Sequence, residues 1–274
     1  MKKLIYLMLF AFLASASAEA QFLKKLKKKV EQKVENTVTE NISNKAANEA
    51  DKSLNNLRET QLENSSFSMG TERVDPSEIP ASYNFDWEYQ MNMKTSEGNM
   101  NMVYLLKEDA SYVGLKVPQA ENMITVLDTE NDLTVIFMHS KENKMVMATR
   151  MDMEATEQQE VQDPYEEMEV EKIGSKTIMG YDCQGYKMEN DEHVFTFYVT
   201  DDAEVSFNDL YKTSSKDLPK GIENAEWMKN GEGLMMEMQM EDKKNPAKSA
   251  TMTCIGIEKN PVSIRKSDYQ GIGG

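Results

Sequence analysis

Phe85-Asp86-Trp87-Glu88-Tyr89-Gln90-Met91-Asn92-Met93 and, after a short polar turn, Asn99-Met100-Asn101-Met102 alternate apolar and polar side chains with a period of two, and the second run continues apolar through Val103-Tyr104-Leu105-Leu106. Alternation of this kind places every second side chain on one face of an extended chain, the pattern of a half-buried strand. Similar runs follow at Met123 to Leu127, Leu133 to Met138, Lys144 to Thr149, Lys176 to Met188, Val194 to Val199, Leu234 to Met240 and Ala250 to Ile257, with Gly, Asp and Asn turns between them. The series predicts an antiparallel β domain over residues 83–274.

Upstream the pattern changes. Residues 64–82 hold Ser, Gly70, Pro76 and Pro80 without periodicity and read as a linker. Residues 21–63 contain no Pro or Gly and carry apolar side chains every fourth position, from Leu26 through Val30, Val34, Val38, Ile42, Ala46 and Ala50 to Leu54, which predicts a long charged helical arm. A strict spacing of four drifts by about 40° per step on an ideal helix, so the stripe is thin and no coiled-coil seam is expected. The acidic stretch Met151 to Glu171, with Pro164, reads as loop, and Asn208 to Gly233 as short helix and loop broken at Pro219 and Gly221. Residues 1–20 follow the order of a cleavable secretory signal: Lys2 and Lys3, the apolar run Leu4 to Leu13, then small residues ending in Ala18-Glu19-Ala20, which predicts cleavage between Ala20 and Gln21. No cysteine lies near that point to accept a lipid anchor, and no later segment is apolar enough to span a bilayer. The expected location is the periplasm or the exterior.

The 274-residue chain carries 31 Lys+Arg against 47 Asp+Glu, a net charge of −16 that becomes −17 once Lys2, Lys3 and Glu19 are removed. An acidic body excludes nucleic acid as a partner. The basic exception is Phe22-Leu23-Lys24-Lys25-Leu26-Lys27-Lys28-Lys29, where five lysines flank apolar anchors, a sequence suited to a membrane surface or an envelope partner as well as to plain solvation. Cys183 and Cys254 stand 71 positions apart in a chain bound for an oxidising compartment. Either they form a disulfide, which on loop-closure entropy stabilises by about 4 kcal/mol, or they are two separate buried thiols.

Catalytic motifs are missing. His139 and His193 each sit inside an apolar run without a second ligand at metal spacing, and the sequence has no G-x-S-x-G, Walker, G-x-G-x-x-G or H-E-x-x-H pattern. No enzyme, no metal site and no cofactor are expected. Methionine is the compositional anomaly, at 22 residues. Met91 and Met93, Met100 and Met102, Met145 and Met147, and Met236, Met238 and Met240 are spaced by two, so each group projects from one side of its strand. Three meanings compete: core filling, an adaptable apolar surface for a greasy ligand, and thioether binding of Cu(I).

Lys176-Thr177-Ile178-Met179-Gly180-Tyr181-Asp182-Cys183-Gln184-Gly185-Tyr186-Lys187, followed by Phe195-Thr196-Phe197-Tyr198-Val199-Thr200-Asp201, resembles a family of exported bacterial proteins, the domain of unknown function 4412, grouped with LolA-like lipoprotein-carrier folds. The pattern is I-x-G-Y-x-C-x-x-Y, then an aromatic-V-T-D strand, and the resemblance spans about residues 83–265; Tyr198 stands where a tryptophan is usual. It implies a curved antiparallel sheet, a half-barrel closed by helix or loop, whose concave apolar face holds acyl chains in better-known relatives. The expected fold class is therefore mainly β with α, a LolA-like half-barrel preceded by the long N-terminal helix. The expected function is a non-enzymatic binding or carrier module sheltering a lipid-like ligand against Met91, Met93, Met100, Met102, Met145, Met147, Met236, Met238 and Met240. The alternative is an envelope interaction protein that docks a partner or membrane surface through its N-terminal helix.

Overall fold

The structure, a computed structural model, describes residues 69–96, 98–116, 122–139, 143–151, 169–206 and 233–272. These form one sheet of thirteen strands: β1 (Met69–Arg73), β2 (Ser82–Thr95), β3 (Gly98–Leu106), β4 (Tyr112–Lys116), β5 (Met123–Asp128), β6 (Leu133–His139), β7 (Lys144–Met151), β8 (Glu169–Ile178), β9 (Tyr181–Glu189), β10 (His193–Thr200), β11 (Leu234–Asp242), β12 (Ala250–Arg265) and β13 (Gln270–Gly271). Their order across the sheet is β1-β7-β6-β5-β4-β3-β2-β12-β11-β10-β9-β8, with β13 added to β7. Every pairing is antiparallel except that of β13 with β7. Two meanders, β2 to β7 and β8 to β12, are thus joined along β2 and β12.

One expectation is corrected. Among the described residues the only helical elements are three-residue 3-10 turns, Pro76–Glu78, Pro246–Lys248 and Lys266–Asp268, so the fold is an antiparallel sheet and not the mainly-β-with-α class, and the long N-terminal helix is not supported. Residues 21–63 themselves lie outside the described residues, as do the signal sequence with Ala20 and Gln21 and the basic Phe22 to Lys29 run. The physical reason lies in the described side chains themselves: those that pack follow period two, the repeat of a strand and not of a helix.

The sheet also takes in Met69–Arg73, from the stretch read as linker. Val74 and Ile79 bring it there: both are buried, and the Val74 amide donates to the Ala148 carbonyl at 3.1 Å. The run Lys176 to Met188 is a hairpin and not one strand. Ile178 pairs with Tyr181 across the two-residue turn Met179-Gly180, whose φ angles of +52° and +87° make both turn residues left-handed. Strand β12 continues eight residues past Ile257 because Pro261, which has no amide hydrogen to give, falls in the register shift between Lys259 and Val262.

The two largest of three apolar cores among the described residues lie one on each side of the sheet. Tyr83 and Phe85, with Leu105, Val126, Leu133, Val135, Phe137, Val146, Ala148 and Ile264, form the first. Tyr89, Met91, Met93 and Met102 join β9 to β12 in the second. Strand β2 serves both: β3 leaves it at the Trp87–Leu106 pair, and its free first half, still paired with β12, crosses over β4 to β7. The crossing is fixed by a buried polar contact. The Tyr83 hydroxyl donates to the Asp128 carboxylate at 2.8 Å, and that carboxylate also accepts from the Asn131 amide and side chain at 3.1 and 2.9 Å. Burial, then the neighbouring carboxylate, push the Tyr83 phenol far above its ordinary range.

Replacing Tyr83 by Phe leaves Asp128, 1 % exposed, short of a donor; the expected loss is about 1–3 kcal/mol in urea unfolding. Met179→Asn places a residue tolerant of left-handed backbone in the turn, and a gain of about 0.5–1 kcal/mol is expected in the same assay.

Candidate apolar ligand face

In an antiparallel sheet, residues directly opposite each other share a face, so register tells which side chains meet. Met147 stands opposite Ile136, Ile136 opposite Thr125, Thr125 opposite Leu115, Leu115 opposite Tyr104, Tyr104 opposite Tyr89 and Tyr89 opposite Ile257. This row runs from β7 to β12 without leaving one side of the sheet. Parallel rows fill the rest of that side: Met100, Met93, Met252, Met238 and Phe197 form one, and Met102, Met91 and Cys254 another. A third joins Met123, Met138 and Met145. Met236 and Met240 follow Met238 by alternation.

All nine methionines singled out by spacing therefore stand on the same face, in two groups. Met91, Met93, Met102, Met236, Met238 and Met240 are buried in the second core with Met100 partly buried beside them. Met147 is buried with Ile136 and Ile272, and Met145 is partly buried there. Spacing alone missed Met252 and Met188, which are single methionines on their strands and carry no i, i+2 partner; both are buried in the larger group.

Methionine is segregated. Among the described residues, the larger core has eight methionines among nineteen buried side chains, while the core on the other side of β3 to β7 has none among twelve. The methionine-free core is built of Val, Ile, Leu, Ala, Phe and Tyr, side chains with few rotamers, and it behaves as rigid filling. The methionine face is built of unbranched, polarizable chains that repack at low cost.

Polar groups on the methionine face are few. Thr134 and Thr149 are directly opposite each other on β6 and β7, 1 % and 6 % exposed, and neither hydroxyl has a hydrogen-bond partner among the described residues. The Tyr89 hydroxyl donates to the Met235 carbonyl, which the β11–β12 ladder leaves unpaired beyond Glu237 and Thr253. On the opposite side of β8 to β12 the sheet is polar: Lys176 crosses 3.8 Å above the Tyr198 ring to Glu237 at 2.8 Å. Hydrogen bonds from Lys187 and then Lys243 hold the Glu189 carboxyl down at about 2.

Cys183 and Cys254 are both buried, free thiols. Their strands, β9 and β12, are separated in the sheet by β10 and β11. Burial raises both thiols above their ordinary pKa, and for Cys254 the nearby Cys183 adds to the rise. His139 and His193 are half-buried, His193 opposite Asp242 on the adjacent strand. Among the described residues no group of three or more His, Cys, Asp or Glu is placed to hold a metal ion. No described helix is long and apolar enough to cross a membrane.

The motif that carried the family resemblance is structural. Gly180 supplies the left-handed turn position. Gly185 sits where a Cβ would come within 2.5 Å of the Gly174 carbonyl and 2.9 Å of the Tyr198 ring, so only glycine lets β8 and β10 close over β9 there.

A family model described as "Domain of unknown function (DUF4412)" matches residues 85–262, from β2 into β12. No curated protein matches the chain. Among solved structures, PNGF-II is similar at 9% identity and a TM-score of 0.32, over 64% of this chain and 28% of that one, so the chain spans less than a third of it. An uncharacterised conserved protein from Thermus thermophilus is similar at 7% identity and a TM-score of 0.36, covering 67% and 82% of the two chains. A LolA superfamily protein from Nitrosomonas europaea is similar at 6% identity and a TM-score of 0.23, covering 66% and 88%. Likenesses of this size assign no ligand and no reaction.

Both thiols are expected to resist a disulfide-exchange reagent such as DTNB at pH 8, because burial and a raised pKa leave little accessible thiolate. Two equivalents should react only after unfolding in guanidinium, with an intact mass two hydrogens heavier than that of a bridged chain.

Proposed function

The chain belongs to the family described as a domain of unknown function (DUF4412), and from that premise we propose that it is an exported, non-enzymatic binding module that shelters a lipid-like ligand on the methionine face of its sheet. A family of this kind lends a fold and not an activity, so the case rests on the site. The observation that carries it is the segregation of methionine: eight in one core and none in the other, within a single sheet. If methionine served only to fill space, both cores would have drawn on the same residue types. Flexible thioether chains suit a surface that must close on itself when empty and open around a chain of carbons when filled. Burial of Met91, Met93, Met236 and Met238 at 0–3 % exposure is the closed condition such a surface needs in water.

Export follows from Lys2, Lys3, the run Leu4 to Leu13 and the Ala18-Glu19-Ala20 site. Delivery to the periplasm or beyond would place the module among membrane lipids, with an acidic body that repels anionic surfaces and favours release from them.

Native mass spectrometry of the mature protein, purified gently from its own envelope, is expected to give a stoichiometric adduct of lipid mass. Changing the Met93, Met252 and Met238 row to leucine costs less than about 1.5 kcal/mol per site and should keep the fold while weakening the adduct at least ten-fold. A clean apo mass for the wild type, unchanged after lipids and Cu(I) are offered, would leave a packed core and a scaffold in its place.

A further inference from the structure

We propose that Thr134 and Thr149 form the polar subsite of the methionine face and hold the acyl carbonyl of the ligand, as a long-chain carboxylic acid or its ester; the assignment rests on the binding function proposed above. The two residues are a cross-strand pair, nine-tenths or more buried, and both hydroxyl oxygens lack a hydrogen-bond partner among the described residues. A buried hydroxyl without a partner costs free energy, and a valine of nearly the same shape would remove that cost. Keeping two side by side calls for a partner that both can reach.

Their position says what that partner is. The row through them reads Val113, Leu127, Thr134, Thr149, with Arg73 opposite Thr149 on the edge strand β1. Val113 and Leu127 belong to the larger methionine core, while Ile136 and Met147, two residues along from the threonines on the same face, belong to the smaller one. The hydroxyl pair is therefore the polar point between two apolar groups. A carbonyl or carboxylate oxygen has two lone pairs and accepts from two donors at once, and its hydrocarbon chain runs onto the methionines on either side.

The test is isothermal titration of the mature full chain with laurate, methyl laurate and dodecane. Wild type should bind all three. Thr134→Val with Thr149→Val should melt at or above the wild-type temperature, bind dodecane unchanged, and lose laurate and methyl laurate at least ten-fold; Thr134→Ser with Thr149→Ser, which keeps both hydroxyls, should bind as wild type does. A larger loss for laurate than for methyl laurate identifies the acid as the preferred form. Equal binding of all three probes by the valine variant, an equal loss of all three, or a lower melting temperature overturns the subsite and leaves the apolar face standing. Failure of wild type to bind even dodecane removes the face, and the subsite with it.

Discussion

Strands β2 and β12 pair from Ser82 opposite Arg265 to Thr95 opposite Ala250, and without this ladder the described sheet would be two separate meanders. Its partners lie roughly 150 or more residues apart in sequence, whereas nearly every other pairing joins consecutive strands. Closing so long a loop is entropically costly and slow. The meanders β2 to β7 and β8 to β11 can form locally, but the methionine core draws on both and is complete only when β12 docks on β2. The ladder also carries two register shifts, at Cys254 to Gly256 and at Lys259 to Val262. Bulges increase local twist, and this twist lets the first half of β2 pack against one face of β3 to β7 while its second half faces the other side.

That double duty explains why the two cores differ. The one closed by Tyr83, Phe85 and Ile264 is crossed by β2 and pinned by the Tyr83–Asp128 hydrogen bond, so its shape is fixed from both sides. Gly114 belongs to the same fit: a Cβ there would lie 3.0 Å from Leu105 and 3.1 Å from Phe85. Stiff side chains suit a volume that does not change. The methionine face has no comparable crossing among the described strands, and its side chains are the ones that tolerate a change of volume.

Much of the strand content was legible from alternation alone, because period two reports burial on one face directly. What alternation does not report is turn geometry and pairing. Met179-Gly180 escaped notice because a left-handed methionine lacks the Asn-Gly signature of such turns, and β4 because five residues with a central glycine make too short a pattern. The end of β12 was hidden by Pro261, which reads as a break until a bulge is seen to accommodate it. The long N-terminal helix expected over residues 21–63 lies outside the described residues, and among those described the sheet is accompanied only by three-residue 3-10 turns.

The site divides along the same line. Pairs such as Met91 and Met93 announce that two side chains share a face of their own strand, which is a local fact and readable in sequence. That Met93, Met252 and Met238 share one row depends on register between β2, β12 and β11, fixed by turns and bulges far from those residues. Thr134 and Thr149 were less visible still, since threonine in a strand is ordinary and its β-branched shape accounts for its presence. Only the environment distinguishes them: buried, opposite each other and unpartnered among the described residues, between Leu127 on one side and Ile136 and Met147 on the other. Chemistry on a β surface is written across strands, so the residues that define such a site are recognised by what stands opposite them.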